Sequence, residues 1–407
     1  VRGATRLPGA RALGACGDEA LSFRAGKLTG CEARAVGINW VLAPCLDVAS
    51  NPKNPVIGPR AFSTDPTTVA VMGLAFARGL GAAGVLTCAK HFPGHGDVEI
   101  DPHLTLPTVL RSRERLEAED WPPFRSAVAA GIDSVMSSHL RVVALDPEQP
   151  ATLSRTILTG LLRDTWGYQG LIVSDALTMH AVSDLLDLEV RALAAGCDLL
   201  MMPADAGPAR RRIVEAVREG RLPEGRVYEA VARVLALKAR LVERPIDPLA
   251  IDRLADADLG SAIARCALRV VRDREALLPL AVAPLEILIV DRLATTDPDL
   301  LAEPRAPEHY WVGEDAPEAY LAFVAARATA ASRVVVQVLT PVGAFRGTAA
   351  VHGAGERLLH ALDGARTIAV SYAHPDLAER YSHLSTVLDA AAPGPAGRTA
   401  VRERLET

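Results

Sequence analysis

Between residues 35 and 205, short apolar runs alternate with amphipathic stretches. The runs are Ile38–Pro44, Val85–Ala89, Ser134–Ser138, Leu171–Ser174 and Asp198–Met202. Each is shorter than a globular helix and rich in Val, Ile, Leu or Met, the pattern of strands buried in a parallel sheet. Helix signals fill the intervals. Asp65-Pro66 joins an N-cap to a Pro at the first position of a helix running toward Gly81. Ser154 opens another, with Ile157, Leu158, Leu161 and Leu162 on one face and Gly167 just past its end, and Gly196 closes a third. The alternation predicts a parallel sheet with helical crossovers.

A doubly wound sheet and a barrel both fit that pattern. Lys90 and His91, His139 and Asp175 each fall at the carboxyl end of a different apolar run. Many strands contribute to that face of a barrel, whereas an open sheet gathers its ligand at one switch point. The expected fold class is therefore α/β, a TIM-type (β/α)8 barrel of which about five of eight strands are visible. Helical pattern continues through Ala209–Glu219 and Val227–Leu241, and Glu243–Pro248 breaks it. The expected organisation is a barrel domain over 1–242, incomplete at its N-terminus, a linker over 243–270 and a smaller α/β domain over 271–407. Strand-like runs Leu285–Val290, Val334–Leu339 and Thr367–Ser371 and a helix over Pro317–Ala328 mark that last domain. The Ala-rich stretch from Leu388 to Arg398 reads as surface loop.

Composition narrows the class. The 407 residues are 49% hydrophobic and 23% charged, which is globular, and the net charge of −5 offers no footprint for nucleic acid or an anionic membrane. No apolar run reaches the roughly 18–20 residues of a membrane-spanning helix. The six Cys are sparse. Cys45, Cys88 and Cys197 sit in apolar runs, so they read as buried thiols and point to a reducing, cytoplasmic location. Secretion stays open, since a leader could precede Val1. No Cys pair has zinc-ligand spacing, and no metal, nucleotide or flavin site is expected.

The densest polar cluster is Lys90-His91-Phe92-Pro93-Gly94-His95-Gly96-Asp97-Val98-Glu99-Ile100-Asp101-Pro102-His103. Its Gly, Pro, His and Asp content makes it a loop following a strand, where function concentrates. Asp101 and His103 are two apart, so an extended backbone points both side chains the same way. A carboxylate beside an imidazole fixes its tautomer and raises its basicity, as a general acid/base pair requires.

This string resembles the signature loop of β-N-acetylhexosaminidases among the family 3 glycoside hydrolases. NWVLAPCLDV, NPVIGPRAFSTDP, PPFRSAVAAGIDSVMSSHL, GYQGLIVSDALTMHAV and AGCDLLMMP resemble further segments of that family in the same order. The resemblance is good over about residues 7–242 and continues more weakly into a C-terminal domain. It implies a retaining hydrolysis with Asp175 as nucleophile, a carboxylate that attacks the anomeric carbon. It also implies His103 as general acid/base, oriented by Asp101, in place of a second carboxylate. Lys90, His91 and Arg60 match sugar-binding positions. His95 is either a further substrate contact or a cap on loop backbone, and Asp47 an orienter of loop backbone. The implied substrate is a terminal β-linked N-acetylglucosamine of muropeptides or chitin oligosaccharides, in bacterial cell-wall recycling.

Ala176 follows the nucleophile where many members carry a second Asp, and Pro102 replaces a small polar residue. The family's acidic, Gly-rich sugar-binding segment would precede Val1, so the chain is expected to be a fragment lacking about three strands, poorly folded or weakly active by itself. Two other functions stay open: a β-N-acetylglucosaminide phosphorylase and an inactive sugar-binding paralogue. Oligomeric state is not legible.

Overall fold

The computed structural model describes all residues except 1–2, 101–104, 242–245, 252–255, 292–305, 341–350 and 375. The chain forms two compact units. The first holds residues 3–5 and Gly17–Asp256, the second Arg6–Cys16 and most of 257–407.

In the first unit, β1 (Cys88–Phe92), β2 (Ser134–Ser137) and β3 (Leu171–Val173) form a parallel sheet in chain order. Parallel bridges add a row on each side: Trp40 to Leu86 and Cys45 to Lys90 beside β1, and Leu199 to Val173 beside β3. These five rows are the five apolar runs, the first and last reduced to isolated bridges. Cys88, Met136 and Val173 cluster with Trp40, Leu42, Leu199 and Met201 on one face, so every row contributes to a shared apolar layer. The expected fold is α/β with a (β/α)8 barrel of which about five strands are visible; the five rows form an open sheet among the described residues, with no closed barrel. Closure requires the last row to pair with the first, and five rows cannot curl that far.

Local signals set the crossovers. Helix Pro66–Ala82 starts at Asp65, whose carboxylate accepts from Thr68 N at 2.7 Å. Helix Thr156–Thr165 is wound as a π-helix, is capped by Ser154 Oγ accepting from Ile157 N at 3.2 Å, and buries Ile157, Leu158, Leu161 and Leu162. Helix Leu188–Ala195 ends at Gly196, whose φ of 131° a side chain would resist. The stretch after Asp175 is a series of turns with His180 exposed.

The row of Leu199 begins at a buried ion cluster. Asp198, with no side-chain exposure, accepts from Arg163 at 2.5 Å, Arg226 at 2.7 Å, Arg233 at 3.2 Å and Ile172 N at 2.9 Å. Two helices and β3 thereby converge on one carboxylate at the amino-terminal end of the sheet, where side chains serve stability.

The second unit is a six-stranded sheet. In chain order its strands are β4 (Arg269–Asp273), β5 (Leu285–Ile289), β6 (His309–Val312), β7 (Val334–Val338), β8 (Thr367–Ser371) and β9 (Thr386–Asp389), arranged β4-β9-β8-β7-β5-β6. All pair in parallel except the edge strand β4. This is a doubly wound order, and apolar clusters cover both faces, so β5, β7 and β8 are buried throughout. The Leu388–Arg398 stretch is corrected: it contains the end of β9, the buried Ala390, Ala391 and Ala392, and the start of helix Pro395–Glu406. Pro395 sits at a first helical turn, where Pro is favoured, so its loop reading fails. Helix Ala257–Ala267 falls within the stretch 243–270.

Candidate active site

The polar residues gather at the carboxyl ends of the first unit's rows, and a bulge aims those on β1. Ala89 pairs with Val135 and Phe92 with Ser137, so Lys90 and His91 together oppose Met136 alone. The extra residue changes the strand's facing. Cys88 joins the apolar layer shared by the rows, yet Phe92, four residues on, packs instead edge-to-face against Phe124 and Trp166 of the flanking helices, at 5.6 and 5.3 Å. In a regular strand both would share one face.

Asp47, fully buried on the neighbouring row, organises the segment beyond the bulge. Its Oδ1 accepts from His95 N at 2.7 Å, both oxygens accept from His91 N at 3.1 Å, and Oδ2 also meets His91 Nδ1 at 2.7 Å and Cys45 Sγ at 3.1 Å. Burial opposes its ionisation. His91, and then His95 and Cys45, outweigh burial and hold the carboxyl well below the usual range. Burial, with Asp47 beside it, pushes the Cys45 thiol far up, so the thiol donates to the carboxylate. Cys45, Asp47 and His91 place donor atoms within 4.8 Å of one another. That set is spread too widely in sequence to show a ligand spacing, and the hydrogen bonds just described account for its geometry.

Asn54 ties a second loop to the same place. Its Nδ2 donates to His95 O at 2.7 Å and Gly96 O at 3.2 Å, while its Oδ1 accepts from Val56 N and Ile57 N. Arg60 follows, with Nη2 3.4 Å from His91 Nε2. Gly96 is obligatory: a Cβ there would lie 1.6 Å from Val48 O. His95 is 3% exposed, and neither ring nitrogen has a hydrogen-bond partner among the described residues. Its ring centroid lies 5.8 Å from that of His91. Burial lowers its pKa to about 4 against the pull of Asp47, so the ring is neutral at pH 7.

Asp175 stands just past β3, its Oδ1 accepting from Ala176 N at 2.8 Å. Burial raises its pKa, but His91 and His139, with the Ala176 N–H and His95, bring it below the ordinary value. It is therefore an anion at neutral pH. His139, buried, bonds Thr152 Oγ1 at 2.9 Å and Ala176 O at 3.0 Å, which fixes the backbone behind Asp175.

Arg60, His91, His95 and Asp175 are thus brought together, and Lys90 shares the bulge with His91. Asp101 and His103 lie outside the described residues. The loop that leads to them is held by Arg111, which is almost fully buried and pairs with Asp97 at 2.6 Å, Glu119 at 2.9 Å and Asp120 at 2.8 Å. Sequence reasoning missed Asn54 and Arg111, single polar residues in stretches without periodicity. A cavity of about 440 Å³ lies away from these groups, lined in part by Tyr168, Arg233 and Arg240.

Residues 1–237 match the family described as "Glycosyl hydrolase family 3 N terminal domain". A β-hexosaminidase A of Pseudoalteromonas piscicida is 37% identical over 236 residues, which is 52% of this chain and 40% of that protein. A β-N-acetylglucosaminidase/β-glucosidase of Cellulomonas fimi is 36% identical over 259 residues, 59% of this chain and 45% of that protein. The chain thus spans less than half the length of these two relatives. A solved family 3 β-N-acetylglucosaminidase from Paenibacillus sp. str. FPU-7 superposes with a TM-score of 0.84 at 31% identity, covering 100% of this chain and 81% of that one.

Proposed function

The chain belongs to glycosyl hydrolase family 3, and on that premise we propose that it carries the active site of a retaining exo-β-N-acetylglucosaminidase. The observation that carries the reading is the Asp175 carboxylate, kept ionised at a row end beside His91 and His95. In this mechanism Asp175 attacks the anomeric carbon and the bond to the leaving oxygen breaks. His103, oriented by Asp101, gives its proton to that oxygen. It then takes a proton from water as the glycosyl–Asp175 ester is cleaved. Lys90, Arg60, His91 and His95 hold the hydroxyl groups of the sugar. In this reading the five-row sheet belongs to a (β/α)8 barrel, which its run of parallel rows with helical crossovers supports. Similarity to relatives named for β-hexosaminidase and β-N-acetylglucosaminidase activity supports the choice of sugar.

The test is release of an aryl leaving group from an aryl β-N-acetylglucosaminide by this chain, with Asp175→Ala as control. Turnover lost in the control by at least about 1,000-fold supports the reading. Equal turnover in both refutes it. Repeating the assay in phosphate identifies the acceptor, since a sugar 1-phosphate product would make the enzyme a phosphorylase.

A further inference from the structure

We propose that Asp47 is the positioning residue of this site: it fixes His91 as the Nδ1–H tautomer, leaving Nε2 as the acceptor that holds the Arg60 guanidinium at the site. The role in turnover rests on the glycosidase reading; the tautomer does not.

The neighbours of each ring nitrogen decide where the proton sits. A guanidinium has donors and no acceptor. Arg60 Nη2 lies 3.4 Å from His91 Nε2, so Nε2 accepts. The ring proton then resides on Nδ1, which donates to Asp47 Oδ2 at 2.7 Å. The same carboxylate accepts from the backbone N–H of His91 and of His95. One group thus sets the proton position of the first ring and the place of the second. The titratable groups facing Asp47 from its surroundings are His91 and His95 of the loop after β1, with the Cys45 thiol on its own row. A bare Nε2 accepts from the Arg60 guanidinium and keeps it beside the ring, which an Nε2–H cannot do.

Asp47→Asn tests this. The amide oxygen can keep the two backbone donors on the Oδ1 side. The amide NH2 then faces His91 Nδ1, and two donors oppose each other. The proton must move to Nε2, where it points at Arg60. Selective 15N-histidine spectra report the tautomer directly, with the His91 signals assigned by their loss in His91→Gln. The wild type is expected to show Nδ1 protonated and Nε2 bare at pH 7, and Asp47→Asn the reverse. kcat/KM on the aryl glycoside should fall about 10- to 100-fold, mostly through KM, as removal of a hydrogen bond involving a charged group predicts. The opposite tautomer, or a doubly protonated ring, in the wild type overturns the inference. A tautomer switch with unchanged kinetics overturns the positioning role. If Asp47→Asn does not fold, the wild-type spectrum decides. An inactive wild type would refute the glycosidase reading alone, because the spectrum needs no turnover.

Discussion

His95→Leu isolates the energetics of the buried ring. In the wild type the His95 pKa falls from 6.5 to about 4 because burial penalises the charged form. The unfolded chain therefore binds a proton between those values that the folded chain refuses. Stability from this source is complete above pH 6.5 and is lost as pH falls toward 4. At about 1.4 kcal/mol per pH unit, the loss between pH 7 and pH 4.5 is about 2–3 kcal/mol. Leu has a similar volume and no proton to gain, so that loss should vanish. The variant should also be as stable as the wild type at pH 7, or more so by about 1–3 kcal/mol, because it removes two polar atoms without partners among the described residues. Affinity for sugar should weaken at the same time. Urea unfolding at both pH values measures the difference, with Trp121 and Trp166 reporting on the first unit. Equal acid loss in the two proteins would refute the buried neutral ring.

Asp120 gives a slope of opposite sign in the same range. Burial raises its pKa to about 6 despite Arg111, so the stability it contributes is lost as pH rises toward 6, and Asp120→Asn should flatten that slope in the same unfolding assay. Asp198→Ala strands Arg163, Arg226 and Arg233 with the Ile172 N–H. It should cost about 3–5 kcal/mol, read as a thermal midpoint lower by roughly 6–20 °C in calorimetry. Gly96→Ala drives a methyl into Val48 O and should cost about 1–3 kcal/mol in urea unfolding while abolishing turnover; a silent variant would contradict the close approach.

Much of the first unit was legible because strands buried on both faces read as uninterrupted apolar runs, and all five runs became rows. Closure was not legible, since it depends on pairing between rows and not on any one of them. Cap chemistry located Pro66–Ala82 and the Ser154 helix because Asp65 and Ser154 act on their own neighbours. The Ala-rich C-terminal stretch misled because Ala, Gly and Pro suit loops, yet small residues also allow the close packing that buries Ala390–Ala392. At the site, loop composition exposed His91 and His95. The reach of Asp47 across to another row, and of Asn54 to the His95 carbonyl, is long-range and leaves no periodic trace.

The bulge between Ala89 and Phe92 bears on how related sequences are compared. There the count of residues decides which way the next side chain faces. Regular pairing of all five residues would turn Phe92 into the apolar layer and sever it from Trp166, whereas a one-residue deletion at Lys90 or His91 would remove the bulge and leave Phe92 facing the helices. Gap placement at this point therefore carries more functional information than percentage identity, and an alignment that spreads the insertion elsewhere will pair residues that point to opposite sides of the sheet.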